Sequence, residues 1–417
     1  MAIIDLYLSR LNHNLGVIRS KLQPKTKIIG VVKANAYGQG VVPIAQNLIE
    51  QGIDYLAVAY ASEGIALRSA GIDCPIMVFY PQKETFAALL QHCLEPVLYS
   101  RQTWFAFMDC VERQRIPKYP VHIKFNTGLN RIGFSWEDRE WLLEQLQHNK
   151  LQVESIYSHL AASEEVRPHI PTEKQGEYFQ KIRSFFLPHY PNTVFHLLNT
   201  SGVFNYPEWQ WDAVRIGIGL YGFANRKSWD QQLKPIARLH APISQIHSVD
   251  KGAYVGYNQG WKASRPSQIA TLPIGHADGI GREFGLGKGR VIIHGQLLPI
   301  IGNVCMDLVM VDVTDCNCAE GDSAIFFDSC FAETYLYVSL ISFVPASFLC
   351  PLQYPIEYPN LLLVPFTGTQ SPSVLGLESF LDFLPEPVKF FLPAEYCEVV
   401  PMDDAPELPA GIPEYTW

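Results

Sequence analysis

Lys33 closes the apolar run Ile28-Ile29-Gly30-Val31-Val32 and is followed by Ala34-Asn35-Ala36-Tyr37-Gly38. A lysine delivered by the end of a buried strand loses hydration. Burial disfavours its ammonium form and lowers its pKa, as Schiff-base chemistry requires. Small residues ahead of an aromatic hydroxyl favour that use; the plain alternative is a surface lysine whose stem covers apolar side chains. A second apolar run, Val214-Arg215-Ile216-Gly217-Ile218-Gly219-Leu220-Tyr221-Gly222, contains an arginine and ends in glycines. Glycine admits a ligand close to the backbone and bare amide N–H groups can hold a phosphate, although a tight strand-to-helix turn uses the same residues. A third run, Val121-His122-Ile123-Lys124-Phe125, leads through a turn to Asn130-Arg131-Ile132-Gly133. Arg131 can offer a carboxylate two parallel donors, or simply start a helix at the surface.

These groups need elements to carry them. Across 8–235, apolar runs at 28–33, 55–59, 76–80, 96–99, 121–125, 153–157, 194–198 and 214–220 alternate with helically spaced stretches such as 41–51 and 141–147. Several runs are nearly continuous and β-branched, the pattern of strands buried on both faces of a parallel sheet. Eight strand–helix units predict an α/β fold, a (β/α)8 barrel of the TIM type, whose catalytic groups sit at the C-terminal strand ends. The count depends on the weak run 96–99, and a doubly wound sheet is the rival. Beyond 236, short runs at 241–249, 268–273, 290–294, 308–313 and 324–327 are separated by Gly, Asp and Asn turns. They predict a smaller, mainly β domain over 236–345, joined by residues 1–7 as a strand. The stretch 346–417 is rich in Pro, Phe and Leu without a clear period and receives no role.

A chain of 417 residues exceeds one ordinary core and predicts two domains. A formal net charge of -9 speaks against nucleic acid as a partner, though it leaves room for a local basic site that takes one phosphate. The nine cysteines are scattered, with Cys316 and Cys318 the only close pair. That spacing suits neither structural zinc nor a disulfide framework, so reduced thiols and no metal are expected. The start of the chain is too short in apolar residues and too early in charge for a secretory signal, and no apolar run is long enough for a membrane span. A cytoplasmic protein without a membrane partner is expected.

In this order and spacing, the segments resemble the alanine racemase family over roughly residues 1–345. The resemblance implies a (β/α)8 barrel followed by a β domain, with pyridoxal 5'-phosphate as cofactor and alanine as substrate. It also implies a homodimer whose subunits complete each other's sites, and a role in supplying D-alanine for peptidoglycan. Lys33 would carry the cofactor as a Schiff base and serve as one base. Tyr257, in Val255-Gly256-Tyr257-Asn258, is similar to the tyrosine base contributed by the second subunit. Arg215 would bond the cofactor's pyridine nitrogen, and Tyr37, Thr200, Gly217 and Ile218 its phosphate. His159, in Tyr157-Ser158-His159-Leu160, would lie beside the ring. Arg131 would position the substrate carboxylate, and Lys124 resembles a lysine that is often carbamylated to hold that arginine. Met306 and Asp307, in Asn303-Val304-Cys305-Met306-Asp307, match the segment that reaches the substrate side of the other subunit's site. Without the resemblance, Cys305-Met306 reads as core packing and His159 as a hydrogen-bonded strand-end histidine.

The chain departs from the family pattern at His276, where tyrosine is common, and at Thr200, where serine is more frequent. The phosphate-binding tyrosine expected near the end of the β domain corresponds to Tyr335, or alternatively Tyr337, ahead of Phe343-Val344-Pro345 in place of Arg-Val-Pro. Racemisation removes a proton from an unactivated Cα and returns it on the opposite face, and Lys33 with Tyr257 would supply one base for each face. A tyrosine base needs nearby positive charge, for which His159 and Arg215 are the candidates. Rival readings are a non-catalytic cofactor-binding protein and a racemase for another small amino acid such as serine. Arg215 disfavours a barrel decarboxylase, which would set an acidic residue at the pyridine nitrogen.

Overall fold

The computed structural model describes residues 1–116, 118–149, 151–327, 361–365 and 397–401. A first strand, β1 (Ile3–Leu6), leads through the helix Leu8–Arg19 to β2 (Lys27–Val31). Then follow β3 (Tyr55–Val58), β4 (Ile76–Val78), β5 (Glu95–Leu98), β6 (Pro120–Lys124), β7 (Gln152–Tyr157), β8 (Val194–His196) and β9 (Ala213–Ile216). Each pairs in parallel with the next, and β2 pairs with β9, so the sheet closes into the expected eight-stranded barrel. The weak run at 96–99 is β5, buried along its whole length.

Two apolar surfaces explain why the strands read as continuous runs. Ile29, Val31, Ala57, Met77 and Val97 pack against one another inside the barrel. On the other face, Ile28, Leu56, Val58 and Ile76 meet the surrounding helices. The helix Arg101–Gln114 is typical of that ring: it buries Trp104, Phe107, Met108 and Val111, spaced to fall on one face. Its start is fixed by Ser100, whose Oγ accepts the Thr103 N–H at 3.2 Å.

The remaining strands are β10 (Ala237–Pro242), β11 (Gln245–Val249), β12 (Tyr254–Val255), β13 (Trp261–Lys262), β14 (Ser267–Leu272), β15 (Arg290–Ile293), β16 (Gln296–Ile301), β17 (Val309–Asp312) and β18 (Ser323–Phe327). Eight strands form an antiparallel sheet in the order β1-β10-β18-β15-β16-β17-β14-β11. It has its own core, including Leu239, Leu272, Val291, Ile300 and Phe326. The N-terminal strand β1 joins this sheet, pairing Ile3 with His240 and Leu6 with Ala237.

Two expectations are corrected here. The run 241–249 is not one strand, because the backbone N–H groups of Ile243 and Ser244 turn away to Asp322 O and Thr271 O. The strand β16 was not read from the sequence at all, since Pro299 interrupts its pattern. It is nevertheless set by a two-residue hairpin, His294-Gly295, in which both φ angles are positive (48° and 79°).

The chain divides into two compact units, Met1–Cys350 and Pro351–Trp417. Among the described residues the second holds an antiparallel pair, β19 (Leu361–Pro365) with β20 (Cys397–Pro401). Tyr335, Tyr337 and the segment 343–345 lie outside the described residues. Among those described, no helix is long and apolar enough to cross a membrane, and no three His, Cys, Asp or Glu side chains gather as metal ligands.

Candidate active site

The C-terminal ends of the barrel strands open onto a cavity of about 630 Å³. Lys33, Tyr37, Lys124, Arg131, His159, Thr200, Arg215, Gly217 and Ile218 all line it. The structure therefore brings together nine residues singled out from widely separated segments.

Lys33 reaches the cavity through an unusual piece of backbone. The strand β2 stops at Val31, and Ala34, Asn35, Ala36 and Tyr37 then adopt φ angles of 52°, 50°, 54° and 55°. Left-handed conformation costs an L-residue roughly 1–2 kcal/mol, so four in succession must be held by their surroundings. The Glu63 carboxylate supplies much of the restraint. It accepts the backbone N–H of Ala34 at 2.5 Å, of Ala59 at 2.7 Å and of Tyr60 at 3.0 Å. Asn35 Oδ1 accepts the Val41 N–H at 2.9 Å, and Gly38, at φ 82°, ends the turn. Burial lowers the Lys33 pKa and the Arg131 charge lowers it further, while Glu63 opposes both.

On the far wall Arg215 is almost wholly buried. One guanidinium nitrogen donates to His196 Nδ1 at 2.5 Å; the other donates to the carbonyls of Ser158 and Leu197 at 2.7 and 2.9 Å and lies 3.2 Å from His159 Nδ1. Burial brings the Arg215 pKa down to about 10, which still leaves it charged at neutral pH. Burial, then the Arg215 charge, holds His159 and His196 well below the usual histidine range, so both rings are neutral. Lys124 falls to about 7, through burial first and then through Arg131, Arg215 and Lys33.

Among the described residues lining the cavity there is no carboxylate to balance these four basic side chains. The arrangement suits anionic ligands. The Tyr157 hydroxyl is buried without a hydrogen-bond partner, and its ring lies 4.8 Å beneath the Arg215 guanidinium carbon.

At another corner the chain makes room for a compact group. A Cβ at Gly217 would meet the Tyr37 hydroxyl and push it aside, so glycine leaves that cradle open with the tyrosine in place. Burial pushes the Tyr37 pKa up to about 12, keeping its hydroxyl a donor. Thr200 Oγ1 lies beside it in the wall and accepts the Gly219 N–H at 3.1 Å.

Family models for the alanine racemase N-terminal domain and C-terminal domain match residues 6–225 and 236–341. The chain belongs to the alanine racemase family. An alanine racemase of Sorangium cellulosum is 34% identical over 333 residues, which cover 77% of this chain and 87% of that protein. The solved alanine racemase of Clostridium difficile superposes with a TM-score of 0.75 at 30% identity, covering 84% of this chain and 93% of the other. The alanine racemase of Bartonella henselae, solved with covalently bound pyridoxal phosphate, gives a TM-score of 0.72 at 27% identity over 84% of this chain and 96% of that one.

Three residues that the alanine racemase resemblance assigns to the site are not in this cavity. Tyr257 and Met306 are 71% and 60% exposed, and Asp307 is exposed as well. They lie together on the antiparallel-sheet region, where Asn303 Nδ2 donates to the Tyr257 carbonyl at 2.8 Å. His276, the departure from the alanine racemase pattern, donates its backbone N–H to Cys305 O at 2.9 Å beside the same loop. Sequence reasoning missed Glu63, Tyr157 and His196. Glu63 was recoverable as an acidic residue in the first turn of the helix Ala61–Ser69. The other two only become informative once β7 and β8 are known to face Arg215.

Proposed function

We propose that this chain is a pyridoxal-phosphate-dependent alanine racemase acting as a homodimer. The observation that carries the reading is the cavity of four basic side chains, without a balancing carboxylate among its described lining, built around a half-buried lysine on a strained turn. The donor set and the glycine cradle fit a phosphate ester: Tyr37 and Thr200 offer hydroxyls, and Gly217 and Ile218 leave the backbone open. When bound, the cofactor supplies an electron sink that acidifies the substrate Cα–H.

The protein's own residues do the rest. Lys33 anchors the cofactor and, with its pKa lowered, takes or returns a proton at Nζ on one face of the substrate. Tyr257 of a second copy does the same at its hydroxyl oxygen on the other face. Its exposure on the monomer, with that of Met306 and Asp307, supports a site completed between copies. Arg215, charged at neutral pH, would offer its guanidinium to the ring nitrogen and so would favour that nitrogen without a proton. His159, neutral and half-buried, would lie beside the ring. Arg131 offers paired donors to the substrate carboxylate. Lys124, about half unprotonated near pH 7, is suited to react with carbon dioxide, and the resulting carbamate would be the missing anion beside Arg131.

We further assign 8–235 to the cofactor-binding barrel and 1–7 with 236–345 to the β domain. The enzyme is placed in the cytoplasm, supplying D-alanine for peptidoglycan; six free thiols among the described residues suit a reducing compartment. The test is to incubate purified protein and added cofactor with L-alanine and resolve the products by chiral chromatography. Accumulation of D-alanine towards an equal mixture is expected, and its absence with cofactor bound would overturn the assignment.

A further inference from the structure

Below the cavity, five successive barrel strands each send one polar side chain inward: Glu95 from β5, His122 from β6, Ser155 from β7, His196 from β8 and Arg215 from β9. All five are buried, in a region that such barrels ordinarily fill with branched apolar residues. They form one continuous chain. His122 Nε2 lies 3.0 Å from Glu95 Oε2, His122 Nδ1 lies 2.7 Å from Ser155 Oγ, and Ser155 Oγ lies 2.9 Å from His196 Nε2. His196 Nδ1 then meets the Arg215 guanidinium at 2.5 Å. The alignment depends on an irregularity in the pairing of β6 with β7. Val121 pairs with Val153 but His122 pairs with Ser155, so Glu154 is passed over and the serine faces the histidine.

Chemistry gives this chain a single direction. A guanidinium only donates, so His196 Nδ1 must present a lone pair, and the neutral ring carries its proton on Nε2. That proton goes to Ser155 Oγ, which donates its own to His122 Nδ1. His122 in turn carries its proton on Nε2 and gives it to Glu95. An ionised carboxylate accepts and cannot donate, so the run from guanidinium to carboxylate cannot be reversed.

We propose that Glu95, His122 and Ser155 are positioning residues for Arg215. They form a one-way hydrogen-bond relay that takes up the Nε2 proton of His196, whose Nδ1 Arg215 fixes as an acceptor, and makes Glu95 the remote counter-ion of the guanidinium. The effect is to keep Arg215 charged and aimed at the cavity without placing a carboxylate in the cavity itself. Its consequence for racemisation rests on the role given to Arg215 above, but the histidine tautomers do not.

The test is 15N NMR of histidine-labelled full-length protein, with and without cofactor. Both His122 and His196 are expected as the neutral form protonated on Nε2, with an unprotonated Nδ1. A proton on Nδ1 of either ring in the wild type would overturn the relay, whatever the enzyme's activity. In Ser155→Ala, His196 and His122 lose their link. Arg215 still fixes the His196 tautomer, whereas His122 loses the donor to its Nδ1. The His122 tautomer is expected to become mixed, and kcat to fall by about tenfold with KM within about twofold, while Ser155→Thr, which keeps the hydroxyl, restores both. An Ser155→Ala protein with unchanged tautomers and unchanged kcat would also overturn it. Because the wild-type spectrum decides the tautomers alone, a variant that fails to fold does not shield the proposal. A wild type lacking racemase activity but showing the expected tautomers would instead sink the functional assignment.

Discussion

Lys124 is buried among three other basic side chains, and its titration reflects the burial first and those charges second. The unfolded chain holds the proton up to the ordinary value of 10.5, the folded chain only up to about 7. Between these values the unfolded state binds more protons, so stability rises with pH; below about 7 the penalty is complete. Lys124→Met should therefore stabilise the cofactor-free protein at pH 7 and below, by about 2 kcal/mol, and by almost nothing near pH 10.5. Calorimetry in carbon-dioxide-free buffer checks this, and an equal effect at both pH values would contradict the cause given. Lys33→Ala should remove the visible absorbance of bound cofactor, and borohydride should no longer fix cofactor to the chain. Tyr257→Phe should slow proton abstraction from one enantiomer far more than from the other, as read from isotope exchange at Cα; equal small losses would remove Tyr257 from the mechanism. The basic residues were legible one by one, because each ends an apolar run. Their shared lack of a carboxylate was not, since that is a property of the assembled wall.

At the scale of elements, the turn after β2 is where local preference and fold disagree most. Four L-residues sit in left-handed conformation, and no feature of Lys-Ala-Asn-Ala-Tyr announces it; only the closing Gly38 hints at a turn. Ala34 is exposed at φ 52°, so its methyl contributes strain with little packing in return. Ala34→Gly should raise the thermal midpoint, corresponding to about 1 kcal/mol of stabilisation. A lowered midpoint would mean that the methyl is needed after all. The barrel strands were legible because parallel strands buried on both faces leave little choice of residue. The boundaries ran long at 28–33 and 214–220 because apolar character continues past the last paired residue into the loops that carry the chemistry. The hairpin partner β16 was hidden by Pro299, and the break between β10 and β11 was hidden because Ile243 stays buried while its backbone changes partner.

For the whole molecule, the separation of Lys33 from Tyr257 predicts complementation between inactive proteins. For the proposed homodimer, Lys33→Ala and Tyr257→Phe chains unfolded together and refolded would give mixed chains in half the dimers. Each mixed dimer holds one site with both bases, so about a quarter of wild-type activity should return. No recovery would mean that each chain works with its own tyrosine. The division into barrel and sheet was legible from the change of texture near 236, whereas the place of Tyr257 in an assembly came from resemblance, because exposure cannot be read from one sequence. The pairing of β1 with β10 also orders events during synthesis. Ile3–Leu6 leave the ribosome well before their partners Ala237–His240, which follow more than two hundred residues later. At ordinary translation rates that is a delay of roughly 10–50 s, in which a short apolar segment waits while the barrel grows behind it. The sheet is thus sealed by a segment synthesised before the whole barrel. A bulky fusion ahead of Ile3 would burden that final docking step and leave the earlier, locally built barrel largely untouched.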